Sequence, residues 1–260
     1  MTIVKRIKDI WEFKYLIYNL VARDLKVKYK GSTLGFLWSL LNPLLMLVVY
    51  TVAFKYVIKL KQENFTIFLF SALLPWNFLS SGLSMGVSSI TENGNLVKKV
   101  YFPREILPLS SVLVNLFHFF LTFTVLIPAL LFFHVTIGFS FLFLLVLVFF
   151  QALFVLGLTF IASAMNVYYR DVKHFLEVLL QLWFWATPII WSVRLVPEKY
   201  KDFVYLNPFT PFVEAYREVI LYNRLPNVVT MLLVIVFGVV VFLLGGYIFQ
   251  KKQRRFAEEI

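Results

Sequence analysis

The residue types that carry hydrolytic, redox or phosphate chemistry are sparse in this sequence. Cysteine is absent, which removes disulfides, thiolate nucleophiles and cysteine-based metal sites. His118, His134 and His174 are far apart and lack acidic neighbours at ligand spacing, so no metal site is expected. No glycine is followed by lysine, so the Gly-rich loop that cradles nucleotide phosphates is missing. Neither paired carboxylates nor a Ser–His–Asp arrangement stands out, so neither a catalytic residue nor a cofactor is expected in this chain. What remains is recognition chemistry. Aromatic residues (Trp38, Trp76, Phe78, Trp183, Phe184, Trp185, Trp191) gather near Pro43, Pro75 and Pro188 and near the polar residues Asn42, Asn77, Ser80, Ser81 and Thr187. Such polar groups are costly against lipid, so they are expected to face other helices or a conduit. Aromatic faces stack on sugar rings through apolar and C–H contacts, which suits a carbohydrate path. The same residue types also serve as interfacial belts or core packing. Trp183 and Trp185 cannot share a helix face. Trp38, Trp76, Phe78 and Trp185 are the candidates for conduit-facing positions.

The elements that position these residues follow from composition. Of 260 residues, 60% are hydrophobic and 15% charged, and the mean hydropathy is +0.81. A soluble domain keeps roughly a quarter of its residues charged, so lipid must cover part of this apolar surface. A spanning helix needs about 20 mostly apolar residues. Six stretches qualify: 34–54, 65–90, 106–133, 139–165, 174–193 and 228–249. The fold expected is all-α and polytopic, a single membrane domain over 34–250 with no cleavable signal peptide. With the N-terminus placed in the cytoplasm, 17 Lys and Arg fall on its side and 8 on the other. The positive-inside rule then puts both termini in the cytoplasm. The weak point is the 55–64 loop, where Lys55, Lys59 and Lys61 stand outside. The net charge of +11 is read as orientation and headgroup contact rather than nucleic-acid binding, because the basic residues flank apolar segments.

Three non-spanning segments carry further information. Within residues 1–33, Ile3, Ile7, Ile10, Trp11, Ile17, Tyr18, Val21 and Leu25 form an apolar stripe at helical spacing. Lys5, Lys8, Glu12, Asn19, Arg23 and Lys26 fall opposite, and Lys14 interrupts the stripe. This is the pattern of an interfacial helix in the headgroup region. A soluble helix packed on a partner is the plainer reading. In the cytoplasmic segment 91–105, Leu96, Val97, Val100 and Tyr101 make a short apolar face beside Lys98 and Lys99. A docking element needs such residues and a plain loop does not. In the external segment 194–227, Asn207-Pro208 and Thr210-Pro211 are both start signals for a helix. Phe212, Tyr216, Val219 and Ile220 then share one face, and Glu214, Arg217, Glu218 and Arg224 the other. A short helix dipping into the outer boundary and capping a pore fits this pattern. A helix lying on the surface fits it too. Residues 251–260 read as a basic cytoplasmic tail.

Carriers driven by protons or sodium keep ionisable groups at mid-membrane, and only His118 sits deep here. The two three-helix halves show no repeat of the kind that inverted-repeat carriers display. A transporter built this way needs a partner to drive it.

Several segments, in order along nearly the whole chain, resemble the polysaccharide-exporting permeases of the ABC-2 type. They are 23–30 (RDLKVKYK), 34–38 (LGFLW), 41–44 (LNPL), 73–78 (LLPWNF), 95–105 (NLVKKVYFPRE), 169–172 (YRDV) and 206–208 (LNP). The similarity is strongest to the O-antigen exporters, with capsule and teichoic-acid exporters as near relatives. The resemblance implies a homodimer working with two separate ABC ATPase subunits, which bind ATP and Mg. It implies export of a lipid-linked polysaccharide from the cytoplasmic face of a bacterial inner membrane. It makes Leu96, Val97, Lys98, Lys99, Val100 and Tyr101 the coupling helix that docks in the ATPase, and 166–173 a possible second contact. The N-terminal helix becomes the interfacial helix, where Arg23, Lys26, Lys28 and Lys30 are candidates to receive the carrier's pyrophosphate; topology anchoring explains them equally well. The segment 194–227 becomes the external gate, with Phe212, Tyr216, Arg217 and Ile220 as gate residues. The rival readings are an ABC-2 drug or lipid exporter and an autonomous membrane channel or scaffold.

Overall fold

The computed structural model describes residues 3–32, 34–57 and 64–260, and among them all regular structure is helical. The order is α1 (Ile3–Glu12), α2 (Lys14–Tyr29), α3 (Trp38–Thr51), α4 (Phe65–Gly86), α5 (Gly94–Lys99), α6 (Ile106–Phe132), α7 (Leu144–Tyr168), α8 (Val172–Ala186), α9 (Glu198–Tyr205), α10 (Thr210–Ile220), α11 (Val228–Lys252) and α12 (Phe256–Glu259). A π-helical stretch, Val52–Val57, extends α3. Lys55 is exposed on it, whereas Lys59 and Lys61 lie outside the described residues.

Five helical stretches among the described residues are long and apolar enough to cross a membrane: Leu40–Val57, Phe65–Gly86, Ile106–Phe132, Phe139–Tyr168 and Val228–Glu259. The chain is a multi-pass membrane protein. The remaining expected span, 174–193, is not one continuous helix. α8 covers 15 residues and stops at Thr187, which adopts an extended conformation (φ −94°, ψ 140°). Pro188 follows, and a residue before proline is pushed out of the helical region. From there the chain turns back into the protein, with Thr187 through Ile190 buried, and the short helix α10 is buried along most of its length.

α4 is the central helix, buried on nearly every side. α6, α7 and α10 pack around it, and α11 lies along α7. The α7–α11 contact is close because two glycines meet. A Cβ on Gly245 would stand 2.1 Å from the carbonyl oxygen of Gly157, and one on Gly157 would stand 2.4 Å from that of Val241. Small residues at a crossing let two backbones touch, which replaces the hydrophobic drive that lipid does not supply. By contrast α3 leaves most of its apolar side chains exposed, among them Leu45, Met46, Val48 and Val49.

The N-terminal helix breaks at Phe13 (φ −93°, ψ 21°). Beyond the break Ile17 turns inward as the apolar stripe requires, while Trp11 and Tyr18, expected on the same stripe, are exposed by 69% and 71%. Leu20 is buried, and Ile10, Phe13, Leu16 and Ile17 pack on the same cluster. The stripe is therefore shared between protein and surroundings. The break at Phe13 lets the protein take one edge of it and leaves the aromatic edge outside.

The glycine crossing yields a direct test. Gly245→Val is expected to lower stability by about 1–3 kcal/mol, read as a fall in thermal unfolding temperature in detergent. Gly246→Val, where a side chain meets nothing within 4 Å, is expected to leave that temperature unchanged.

Candidate functional site

A groove of about 600 Å³ runs between α3 on one side and α4 and α6 on the other. Its walls hold the polar residues Asn42, Asn77, Ser81, Asn115 and His118 together with Trp38, Phe78 and Phe119, and Lys28 of α2 also lines it. Asn42, Asn77 and Ser81 are three of the five polar side chains that the sequence directs toward helices or a conduit; Ser80 and Thr187 do not line the groove. Asn115 is steadied by its own helix, donating to the Ser111 carbonyl at 2.8 Å. Trp38 is half exposed here. Phe78 is largely buried and packs on Phe119 with ring centroids 5.5 Å apart. Of the four cations proposed to receive pyrophosphate, the structure brings only Lys28 to the groove. Burial of its ammonium lowers its pKa. Arg23 turns instead toward α5 and donates to Asn93 Oδ1 at 2.9 Å and to Asp24 at 2.8 Å. Lys26 and Lys30 are exposed.

Trp76 and Trp185, the other two conduit candidates, have separate fates. Trp185 is 59% exposed. Trp76 is buried inside the chain, edge-on to Trp183 (6.1 Å), Phe184 (5.6 Å) and Phe209 (5.8 Å). Phe154 and Phe212 extend this cluster, so Trp76 joins α4 to α8 and α10 and does not face the groove. The polar member of the cluster is Asn207. Its Oδ1 accepts from Trp183 Nε1 at 2.8 Å and from the Phe209 amide at 3.0 Å. Its Nδ2 donates to Thr187 Oγ1 at 2.9 Å and to the Ala186 carbonyl at 3.3 Å. One side chain thus satisfies both the open end of α8 and the turn leading into α10, the task that a helix terminus buried away from water imposes.

The gate candidates sit in α10. Phe212, Tyr216 and Ile220 are buried, as their shared apolar face requires. Arg217, expected on the polar face, is 1% exposed. It donates to Glu214 Oε1 at 2.8 Å and to the Ile189 carbonyl at 2.7 Å. Its guanidinium carbon stands 3.6 Å over the Phe68 ring. The Glu214 carboxylate beside the guanidinium offsets the cost of enclosing its charge. The helical wheel assumed one wet side, but α10 is enclosed by α4, α7 and α11. Only Glu218 and Arg224 pair at the surface as the wheel implies. A further polar chain escaped the sequence reading. Tyr216 Oη donates to Gln151 Oε1 at 2.7 Å, and Gln151 Nε2 donates to the Pro75 carbonyl at 2.7 Å. Gln151 is the first polar side chain in α7, after seven apolar residues, and that isolation was the available signal.

At the other end of the bundle lies the docking candidate. α5 is six residues long, and within it Val97 is buried and Leu96 half-buried in the chain's own core. Lys98, Lys99, Val100 and Tyr101 point outward, with Tyr101 97% exposed. The exposed Tyr169 and Arg170 of the α7–α8 turn belong to the same end. The segment 251–260, read as a tail, is folded. Phe256 is fully buried against Phe249 and Tyr168, and Ile260 closes on Gly94 at the start of α5. Gln253 accepts at its carbonyl from Arg104 and donates to Glu105 at 3.0 Å. Tyr168 Oη donates to the Lys252 carbonyl at 2.8 Å. Among the described residues no group of three or more His, Cys, Asp or Glu could hold a metal ion. His174 does have an acidic neighbour, Glu177, one helical turn on at 3.7 Å, which the linear reading passed over.

Glu214→Gln is expected to destabilise the protein by about 3 kcal/mol, because it leaves the Arg217 charge buried without its carboxylate. Adding Arg217→Met is expected to restore most of that loss. Denaturant unfolding in detergent reads both; a single variant as stable as the parent would refute the pairing.

Comparison with known proteins follows the same architecture. Residues 15–221 match the family model described as ABC-2 type transporter. Over 263 residues the chain is 33% identical to the O-antigen export system permease protein RfbA of Myxococcus xanthus, covering 99% of this chain and 100% of that protein. A permease of the same name from Klebsiella pneumoniae is 32% identical over 94% of each chain. The polysialic acid transport protein KpsM of Escherichia coli is 21% identical over 92% of this chain and 94% of its own. With a family match over most of its length and full-length relatives above 30% identity, the chain belongs to the ABC-2 type transporter family.

Proposed function

We propose that this chain is the membrane-spanning permease subunit of an ATP-driven exporter that moves a lipid-linked polysaccharide of the O-antigen type across a bacterial inner membrane. The observation that carries the reading is the groove: amide, hydroxyl and imidazole groups set among Trp38, Phe78 and Phe119 within helices that otherwise present hydrocarbon. A glycan needs hydrogen-bond partners and aromatic faces at once, and a purely apolar cargo needs neither amide. The names of the relatives, O-antigen export permeases and a polysialic acid transport protein, agree with a glycan cargo and weigh against a drug or lipid exporter.

In this reading two copies meet across the open side of the groove, and the exposed apolar surface of α3 is the surface a second copy covers. α8, continued by the buried segment 187–193, makes a sixth crossing, and both termini lie in the cytoplasm. α1 and α2 rest in the headgroup layer, where the outward Trp11, Tyr15 and Tyr18 suit the interface. Lys28 attracts the carrier's pyrophosphate at the mouth of the groove. ATP hydrolysis belongs to a separate pair of ABC ATPase subunits, which dock on Lys98, Lys99, Val100 and Tyr101, with Tyr169 and Arg170 as a second contact. Movement at α5 reaches α6 directly and α11 through the Arg104–Gln253–Glu105 contacts. α10, wedged behind the groove by Arg217 and the Tyr216–Gln151 bond, closes the far end.

The test separates docking from folding. Leu96 supports the chain's own core, so a charge there confounds the two; Tyr101 touches almost nothing. Tyr101→Asp is expected to leave the unfolding temperature unchanged while co-purification of an ABC ATPase from native membranes falls at least about tenfold, the order expected for losing an interface hot spot. Undiminished co-purification and export with Tyr101→Asp would refute the docking surface. A parent protein that purifies without any ATPase would refute the exporter reading.

A further inference from the structure

The same end of the bundle carries a second concavity, of about 590 Å³, that the transport reading does not use. Lys251, Lys252, Arg254 and Arg255 line it together with Tyr168 and Tyr247. Four cations stand within five consecutive positions where α11 gives way to a 3-10 turn, Gln253–Arg255. Lysine and arginine at a helix C-terminus ordinarily complement the free carbonyls there. Here two of those carbonyls are already taken: that of Lys252 by Tyr168 and that of Gln253 by Arg104. Among the described residues none of the four cations forms an ion pair with a carboxylate. Lys252 lies 4.6 Å over the Tyr168 ring. Glu258 and Glu259, the acidic residues nearest in sequence, are exposed on α12, near enough for their charge to reach Tyr168, but neither pairs with any of the four cations. The groove thus concentrates positive charge with its geometry already fixed by other bonds.

What lies beside it decides the ligand. Val236, Val240, Leu243, Leu244 and Tyr247 recur at helical spacing along one face of α11, and all are exposed apolar or aromatic side chains. That face runs straight into the groove at Tyr247. A soluble anion has no use for such a stripe. An amphiphile whose acyl chains lie on the stripe and whose phosphate enters the groove uses both features. Tyrosines at headgroup depth and basic pockets beside membrane helices are the features by which proteins hold anionic lipids.

We propose that this groove binds the headgroup of an anionic phospholipid of the inner leaflet, with its acyl chains along the exposed face of α11. The leaflet rests on the proposed topology with both termini in the cytoplasm; the binding site itself does not. The bound lipid adjoins Gln253 and so the contacts that fasten α11 to Arg104 and Glu105.

The test uses the full chain, purified with whatever partner accompanies it, in nanodiscs and by native mass spectrometry. Phosphatidylglycerol is expected to be retained at least about tenfold more than phosphatidylcholine. Arg254→Gln, at an exposed position, is expected to weaken retention about fivefold, the order set by one basic residue near an anionic lipid surface. Replacing Lys251, Lys252, Arg254 and Arg255 all by Gln is expected to abolish the preference. Removing four exposed charges from the N-terminal helices (Lys8→Gln, Lys14→Gln, Lys26→Gln and Lys30→Gln) is expected to preserve it. Equal loss in both four-charge variants, or no lipid preference in the parent, overturns the site. Displacement of the lipid by millimolar inorganic phosphate also overturns it, because the ligand would then be a soluble anion. Because the chain has no cysteine, Ala257→Cys provides a single label. Labelling from the cytoplasmic side supports the leaflet. Labelling from outside overturns the leaflet and the topology but leaves the measured lipid preference standing.

Discussion

Where helix ends and carbonyls are enclosed by packed apolar helices, the chain must bring its own hydrogen-bond partners. The passage from α8 to α10 meets this constraint with two side chains. Asn207 closes the open end of α8 and the turn into α10, and Arg217 reaches the carbonyl of Ile189 in the buried segment that follows α8. Arg217 is affordable in that position only because Glu214 sits one turn away and the Phe68 ring lies beneath the guanidinium. With those bonds in place the aromatic residues of α4, α7, α8 and α10 can close around that segment. Remove them and the aromatic cluster would have to enclose unpaired backbone groups, each costing several kcal/mol in such surroundings.

The opposite end solves a different problem. Five stretches of chain, the end of α2, the α4–α6 segment, the end of α7, the end of α11 and α12, converge there with ordinary polar bonds and one small apolar cluster around Phe160, Phe249 and Phe256. Its outward surface is what a soluble partner would meet. The segment that leads to that surface is held by the chain's own residues, Arg23 through Asn93 on one side and Gln253 through Glu105 on the other. A short helix of six residues has little stability of its own. Its position is therefore a property of the elements that grip it.

Much of this was legible in the sequence, and the misses have separate physical causes. Hydrophobic length located five of the six expected spans, while Pro188 broke the sixth, and Thr210-Pro211 marked the start of α10. The cost of polar groups in lipid directed Asn42, Asn77 and Ser81 toward the protein, where they line a groove. One miss came from the helical wheel, which divides a helix into one dry side and one wet side. α10 has no wet side along most of its length, so Arg217 was assigned outward when its partners, Glu214 aside, lie far away in sequence at Phe68 and Ile189. The N-terminal stripe was split by the break at Phe13, a residue with no unusual chemistry. Basic composition concealed Phe256 and Ile260, whose spacing of four places both on one helical face. Trp76 was sent to the conduit because an aromatic residue beside Pro75 and Asn77 fits a wall and a core equally well, and only the positions of Trp183 and Phe209 decide between them.

The contact between Gly157 and Gly245 has a mechanical consequence. Where two helices touch backbone to backbone, no side chain lies between them to change rotamer, so the Gly157–Gly245 crossing holds α7 and α11 closely together. α4 is clamped to that pair by α10 and its polar bonds. α3 stands apart, most of its surface bare of protein contacts, entered through the 3-10 turn Gly35–Leu37 and continued by the π-helical stretch Val52–Val57. The width of the groove therefore depends on where α3 sits against the block formed by α4 and α6.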